Sequence, residues 1–303
     1  MTKQTVVVAL GGNALLRRGE PLEADIQRSN IAKAAKAIAE IGKEYNVVLV
    51  HGNGPQVGLL ALQGLAYKEV GPYPLDVLGS ETQGMIGYML MQELKNLLPD
   101  QHISCMLTQM SVNPDDPAFA DPSKPIGPVY DDSEAHELAK KHHWTVKPDG
   151  QYFRRVVPSP KPTGIIENDA INALIGHEHL VICTGGGGIP VEYINGKLVG
   201  VEAVIDKDMS AAFLAKQLKA DALLILTDTN AVYLDWGTPS QKALRKTTPA
   251  ELAQYEFDVG SMGPKIEASC EFINQGGKLV GIGALEDGLH ILKGEAGTNI
   301  TAE

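Results

Sequence analysis

The chain is short of cysteine, aromatic residues and positive charge, and each shortage excludes a class of function. Its three cysteines, Cys105, Cys183 and Cys270, stand far apart among apolar neighbours. They read as buried thiols in a reducing compartment, neither a disulfide framework nor a metal set. The histidine pairs His142/His143 and His177/His179 lack a matching ligand pair at helical spacing, which argues against zinc. A formal net charge of -11, with no compensating basic stripe, argues against a nucleic-acid partner. No apolar run approaches a membrane span, and the first residues enter a strand-like run without a basic-then-apolar leader. A soluble cytoplasmic protein is the expectation. The two common nucleotide-loop patterns, GxxxxGK[ST] and GxGxxG in its βα context, are missing as well.

What the sequence does contain is glycine, 32 residues of it, following β-branched runs. Thr5 to Leu10 (TVVVAL) is apolar throughout and breaks at Gly11-Gly12-Asn13. Val47 to Val50 breaks at His51-Gly52-Asn53-Gly54-Pro55, and Val181 to Thr184 runs into Gly185 to Gly188. Continuous apolar runs of strand length fit a parallel sheet covered on both faces. Alone, one GGN reads better as a tight turn than as a ligand loop. Two such loops at the carboxyl ends of neighbouring parallel strands would line one crevice, where open α/β sheets bind ligands. His51, at a strand end, is either an acid/base or, the better reading, a hydrogen-bonded structural residue.

Helical spacing runs from Glu23 to Ile41, with Gly42 as the stop, and a long helix lies within Pro74 to Leu98 with a capping box at Ser80 and Gln83. Gly84 and Gly87 inside that helix point to a dimer contact or a close helix–sheet crossing. Ile103 to Thr108 reads as another strand. From Asn113 to Arg155 prolines and charges make a poor source of sheet or long helix, yet enough aromatic and aliphatic residues remain to bury something. A small protruding subdomain is the expectation, with Lys124 in a rigid KPIGP turn. Such a lysine is either aimed or an ordinary mobile surface charge.

The charged centre is Asp206-Lys207-Asp208, where an apolar run meets a helix expected from Met209 to Leu218 and opening on Asp208. Helix N-termini suit phosphate, and a lysine between two acids can neutralise a moving phosphoryl group while the acids orient it. Three charges alone fit a solvated helix cap equally well. Ala222 to Thr227 is a strand ending in Asp228-Thr229-Asn230, close to Tyr233. Thr248-Pro249-Ala250-Glu251 is a helix start. Ser261-Met262-Gly263-Pro264-Lys265 opens the last substantial helix, and a lysine in a first turn opposes the helix dipole unless an anion is shared there.

ALGGNALL, HGNGPQVGLLALQ, YPLDVLG, QGMIGYML, KPIGPVY, RRVVPSP, CTGGGGIPV, GVEAVIDKD, LTDTNAVY and GSMGPK, in register from Val6 to Ile300, resemble carbamate kinase of the amino-acid kinase superfamily. The resemblance implies an α/β fold, a three-layer αβα sandwich around a mostly parallel sheet. It implies a single domain over residues 1–303, with a carbamate lobe over about 1–200, a protruding subdomain over about 113–160 and a nucleotide lobe over about 201–303. It also implies a homodimer. The implied reaction moves phosphoryl reversibly between carbamoyl phosphate and ADP, with Mg2+, giving ATP and carbamate in fermentative arginine breakdown. By matching position, Gly11, Gly12, Asn13, Gly52, Asn53 and Gly54 would hold the transferred group. Lys207 and Lys265 would approach the nucleotide phosphates, Asp208 or Asp206 would orient the lysines, and Lys124 would swing over the carbamate end. Asp228, Tyr233, Met262 and Pro264 would line the nucleotide pocket, and no residue is assigned as a protein metal ligand. Thr229-Asn230 departs from the family's Val-Asp. The alternatives are another family enzyme acting on a carboxylate or uridylate, and a silent nucleotide-binding regulator.

Overall fold

A computed structural model describes residues 3–17, 19–67, 72–258 and 260–303. Its centre is an eight-stranded sheet. From one edge the strands run Lys246–Thr247, Thr298–Ile300, Val280–Ala284, Ala222–Thr227, Thr5–Leu10, Asn46–His51, Leu180–Ile182 and Ile103–Cys105. Every neighbouring pair is parallel except Val280–Ala284 with Thr298–Ile300.

Alternation along the first strand divides the core between two faces. Val7 and Ala9 pack with Met209, Leu214, Ile266 and Phe272 of the helices Lys207–Gln217 and Met262–Asn274. Val6, Val8 and Leu10 pack with Ile31, Ile38, Ile86 and Leu90 of the helices Ala24–Glu44 and Leu75–Leu97. The sheet is therefore covered on both sides, a three-layer αβα arrangement, as the fully apolar strands require. Burying each such aliphatic side chain contributes about 1.5–3 kcal/mol.

Several local expectations need correcting. The first long helix continues through Gly42 to Glu44. The helix Leu75–Leu97 starts after Pro74, so Ser80 lies inside it and donates its hydroxyl to Val77 O at 2.7 Å instead of capping. The strand at Ile103 ends at Cys105. At Gly87 the close crossing is real: a Cβ there would lie 2.2 Å from Cys105 Sγ on the adjoining strand.

The largest difference is in the proline-rich segment, which is regular. Lys124–Tyr130, Tyr152–Val157 and Thr145–Asp149 form a three-stranded antiparallel sheet, covered in part by the helix Asp132–His142. Pro125 and Pro148 belong to its two outer strands, where proline costs no ladder hydrogen bond on the open side. Lys124 accordingly opens a strand and does not sit in a turn.

Candidate active site

Leu10 pairs with His51 on one side and Leu226 on the other, so the residues after these three strands leave the sheet at a common edge. Gly11 N–H donates to Leu226 O at 3.0 Å and Gly52 N–H donates to Leu10 O at 3.1 Å. A Cβ on Gly52 would stand 3.3 Å from the Gly12 main chain, so the two glycine loops touch with no side chain between them. Gly54 is exposed at the start of the next helix, Gly54–Ala66, for which Asn53 is the N-cap residue. Asn53 donates its side-chain amide to the Thr82 hydroxyl at 2.8 Å. Asn13 belongs to the short helix Gly12–Leu15, and its side chain lies outside the described residues.

A third loop, Gly185 to Gly188, joins these two to the charged triplet. Gly186 and Gly187 adopt φ of 67° and 95°, the left-handed region that side chains resist. A Cβ on Gly186 would fall 2.1 Å from Asn53 Nδ2, and one on Gly187 2.2 Å from Ile205 O. Only bare backbone fits between Asn53 and the residue preceding Asp206. This wedge was not among the candidate site residues, although four glycines after a buried strand were its signal.

His51 is fully buried, and its Nδ1 bonds Gly52 O at 3.0 Å. Burial is the main cause that pushes its pKa down to about 4, against the pull of that hydrogen bond and with help from the Lys207 charge. A neutral imidazole fixing the loop backbone is the result.

The charges of the crevice form one connected set. Asp206 caps the helix Lys207–Gln217: its Oδ1 accepts from the N–H groups of Asp208 at 2.8 Å and Met209 at 3.3 Å. The cap is thus Asp206 and not Asp208, and the helix opens one residue later than the cap. The other oxygen of Asp206 accepts from Lys124 Nζ of the small sheet. Asp208, buried, accepts from Lys207 Nζ at 2.5 Å and from Lys265 Nζ at 3.2 Å. Sequence left the two acids indistinguishable, whereas the coordinates separate them by which lysines they meet.

Burial alone would raise the Asp208 carboxyl, but the Lys207 and Lys265 charges outweigh it and hold it well below the usual carboxylate range. At Asp206 burial likewise opposes Lys124, and the net direction is again downward. Lys207 is pushed below the ordinary lysine value, first by burial and then by Lys265, with Asp208 pulling the other way. Two ammonium groups sharing one carboxylate leave a net positive crevice inside a chain of net charge -11. Such a site draws an anion.

Asp228 lies directly after the strand Ala222–Thr227 and accepts from the Thr227 hydroxyl at 3.1 Å. Tyr233 donates its hydroxyl to Asn230 Oδ1 at 2.5 Å. Met262 and Pro264 form the first turn of the helix that carries Lys265. Asp228 and Tyr233 thus follow the strand Ala222–Thr227, and Met262 and Pro264 stand on the helix whose Lys265 meets Asp208. Among the described residues no group of three His, Cys, Asp or Glu side chains is placed to hold a metal ion. Both crevice carboxylates are engaged by lysines, so this donor set does not fit a resident magnesium ion. No helix among the described residues is long and apolar enough to cross a membrane.

The amino acid kinase family model matches residues 4–283. A carbamate kinase of Rhizobium meliloti is 54% identical over 301 residues, covering 98% of this chain and 93% of its own. A carbamate kinase of Escherichia coli is 53% identical over 298 residues, covering 98% of this chain and 99% of its own. The structure of a carbamate kinase from Giardia lamblia bound to AMP-PNP superimposes with a TM-score of 0.91 at 41% identity, over 99% of this chain and 98% of that one.

Proposed function

This chain belongs to the amino acid kinase family and groups within it with the carbamate kinases, and from that premise we propose how its own residues carry the reaction. It is a carbamate kinase: the phosphoryl group of carbamoyl phosphate passes to ADP, giving ATP and carbamate, and the reverse reaction uses the same site. The bond from phosphorus to the carbamate oxygen breaks as a bond to the terminal oxygen of ADP forms. No proton transfer to carbon and no covalent enzyme intermediate is needed, so the protein's work is positioning and charge neutralisation.

The N–H groups of the loops at Gly11 to Asn13 and Gly52 to Gly54 hold the transferred group and the carbamate. Lys207 and Lys265 neutralise the phosphoryl oxygens as charge spreads over them, and Asp208 keeps both ammonium groups aimed. Lys124 covers the carbamate end from the small sheet, tethered by Asp206. Asp228, Tyr233, Met262 and Pro264 receive the nucleoside, with Asn230 serving as a neutral partner to Tyr233. ADP would enter as its magnesium complex, a substrate whose metal would offset part of the phosphate charge while Lys207 and Lys265 meet the rest. The convergence of Lys124, Lys207 and Lys265 on two adjacent carboxylates is the observation that carries this reading.

Residues up to about 200 serve as the carbamate lobe and the remainder as the nucleotide lobe. The outer face of Leu75–Leu97, where Gly84 and Tyr88 are exposed, would be the contact of a homodimer; a cytoplasmic place in arginine breakdown rests on the likeness to carbamate kinases alone. Incubation with ADP and carbamoyl phosphate should yield ATP, while glutamate, acetylglutamate and uridylate should accept no phosphoryl from ATP. ATP formation at background level, or preference for one of those acceptors, overturns the assignment.

A further inference from the structure

We infer that the main-chain contact between Gly58 and Gly127 sets how far Lys124 reaches into the crevice, which makes both glycines positioning residues. The inference rests on the phosphoryl-transfer reading above. Gly58 is buried on the helix Gly54–Ala66, just over one turn beyond its N-cap residue Asn53. A Cβ at Gly58 would lie 2.5 Å from Gly127 Cα and 2.8 Å from Gly127 N. Those obstructing atoms are backbone, so nothing can rotate aside.

Gly127 sits three residues after Lys124 on the same strand, at the irregularity between Ile126 and Val129, with φ of 71°. Its carbonyl accepts from Arg154 Nε at 2.8 Å, and Arg154 belongs to the paired strand Tyr152–Val157. Ile126 and Val157 pack beside this contact against Val57, Leu75 and Leu78. The strand that delivers Lys124 is thus seated on the helix that begins at the Gly52–Gly54 loop. A side-chain contact would tolerate rotamer changes, but a contact between two α-carbons does not. The distance between the loop and the strand from which Lys124 reaches is consequently fixed by bare backbone, and the Asp206 carboxylate then holds the ammonium.

In Gly58→Ala the strand must retreat by about 1 Å to reach ordinary van der Waals separation. Turnover of carbamoyl phosphate should fall about tenfold or more, since misplacements of that size are costly to in-line transfer. ADP affinity by calorimetry should stay within about twofold of wild type, because the lost interaction is on the other substrate. Gly58→Ala combined with Lys124→Ala should turn over no more slowly than Lys124→Ala alone, as residues acting through one another do not add. A crystal structure of the variant should place Lys124 Nζ beyond hydrogen-bond reach of Asp206. Wild-type turnover in Gly58→Ala, a fully additive double variant, or an undisturbed Lys124–Asp206 pair in its crystal structure would each overturn the inference. Wild-type turnover in Lys124→Ala would instead sink the role given to Lys124, while the crystal structure still decides the positional claim. Should Gly58→Ala not fold, Arg154→Met releases the Gly127 carbonyl without a clash. That variant should show the same fall in turnover at unchanged ADP affinity, and wild-type turnover in it counts against the inference.

Discussion

Lys265 Nζ lies 3.2 Å from Asp208 Oδ2, a contact made across 57 residues of chain. Asp208 thereby ties together the first turns of two helices whose dipoles both point positive charge into the crevice. The lysine that opposes the dipole of its own helix is accounted for by a carboxylate supplied from the other.

Lys265→Ala is expected to lower turnover at saturating ADP by about a hundredfold, equivalent to roughly 3 kcal/mol of lost charge stabilisation. Steady-state kinetics with a circular-dichroism control measures this. Near-wild-type turnover would take Lys265 out of the mechanism.

Asp208→Asn removes the counter-charge shared by two lysines in a buried place, and breaking such a set costs about 3–5 kcal/mol. The variant should unfold at lower urea concentration than wild type. Added ADP or phosphate should recover part of the loss, because an anion between the lysines replaces the carboxylate. Equal denaturation midpoints for variant and wild type would contradict the burial argument.

His51 gives a pH dependence of definite sign. Its pKa falls from 6.5 in the unfolded chain to about 4 in the folded one, so the unfolded state binds the proton first. Above pH 6.5 both states are neutral and the residue contributes nothing; between pH 6.5 and about 4 stability falls with acidification, by about 3 kcal/mol in all. His51→Gln should flatten the decline in urea midpoint over that interval. A decline of undiminished slope would assign it to other groups.

Gly87→Ala drives a methyl group into Cys105, and overpacking of this kind typically costs about 1–3 kcal/mol. Cys105→Ala removes the sulfur it strikes. The double variant should therefore be more stable than Gly87→Ala alone, which chemical denaturation of the four proteins of the cycle would detect. Additive losses would mean that the helix shifts as a body.

Sequence made the central strands and their glycine endings legible because an apolar run covered on both faces admits few other readings. The glycine loops after Leu10 and His51 do meet, as parallel neighbours must. Resolution was lost where competing residues had the same chemistry. Asp206 and Asp208 suit a helix cap equally well, and only the hydrogen bonds to Asp206 Oδ1 identify which of them it is. The strands of the small sheet were hidden by Pro125 and Pro148, since proline argues against a strand until one knows that the strand is an outer one. The wedge at Gly186 depends on what lies opposite it, Asn53 from a distant part of the chain, and spacing carries no trace of that.

Asp206 assigns its oxygens to different tasks, one to the amides that begin a helix and the other to an ammonium on a separate sheet. Releasing the second leaves the first intact. On the reading proposed above, the strand that carries Lys124 could withdraw without unwinding any of the helix beneath it, one carboxylate serving as both a rivet and a clasp.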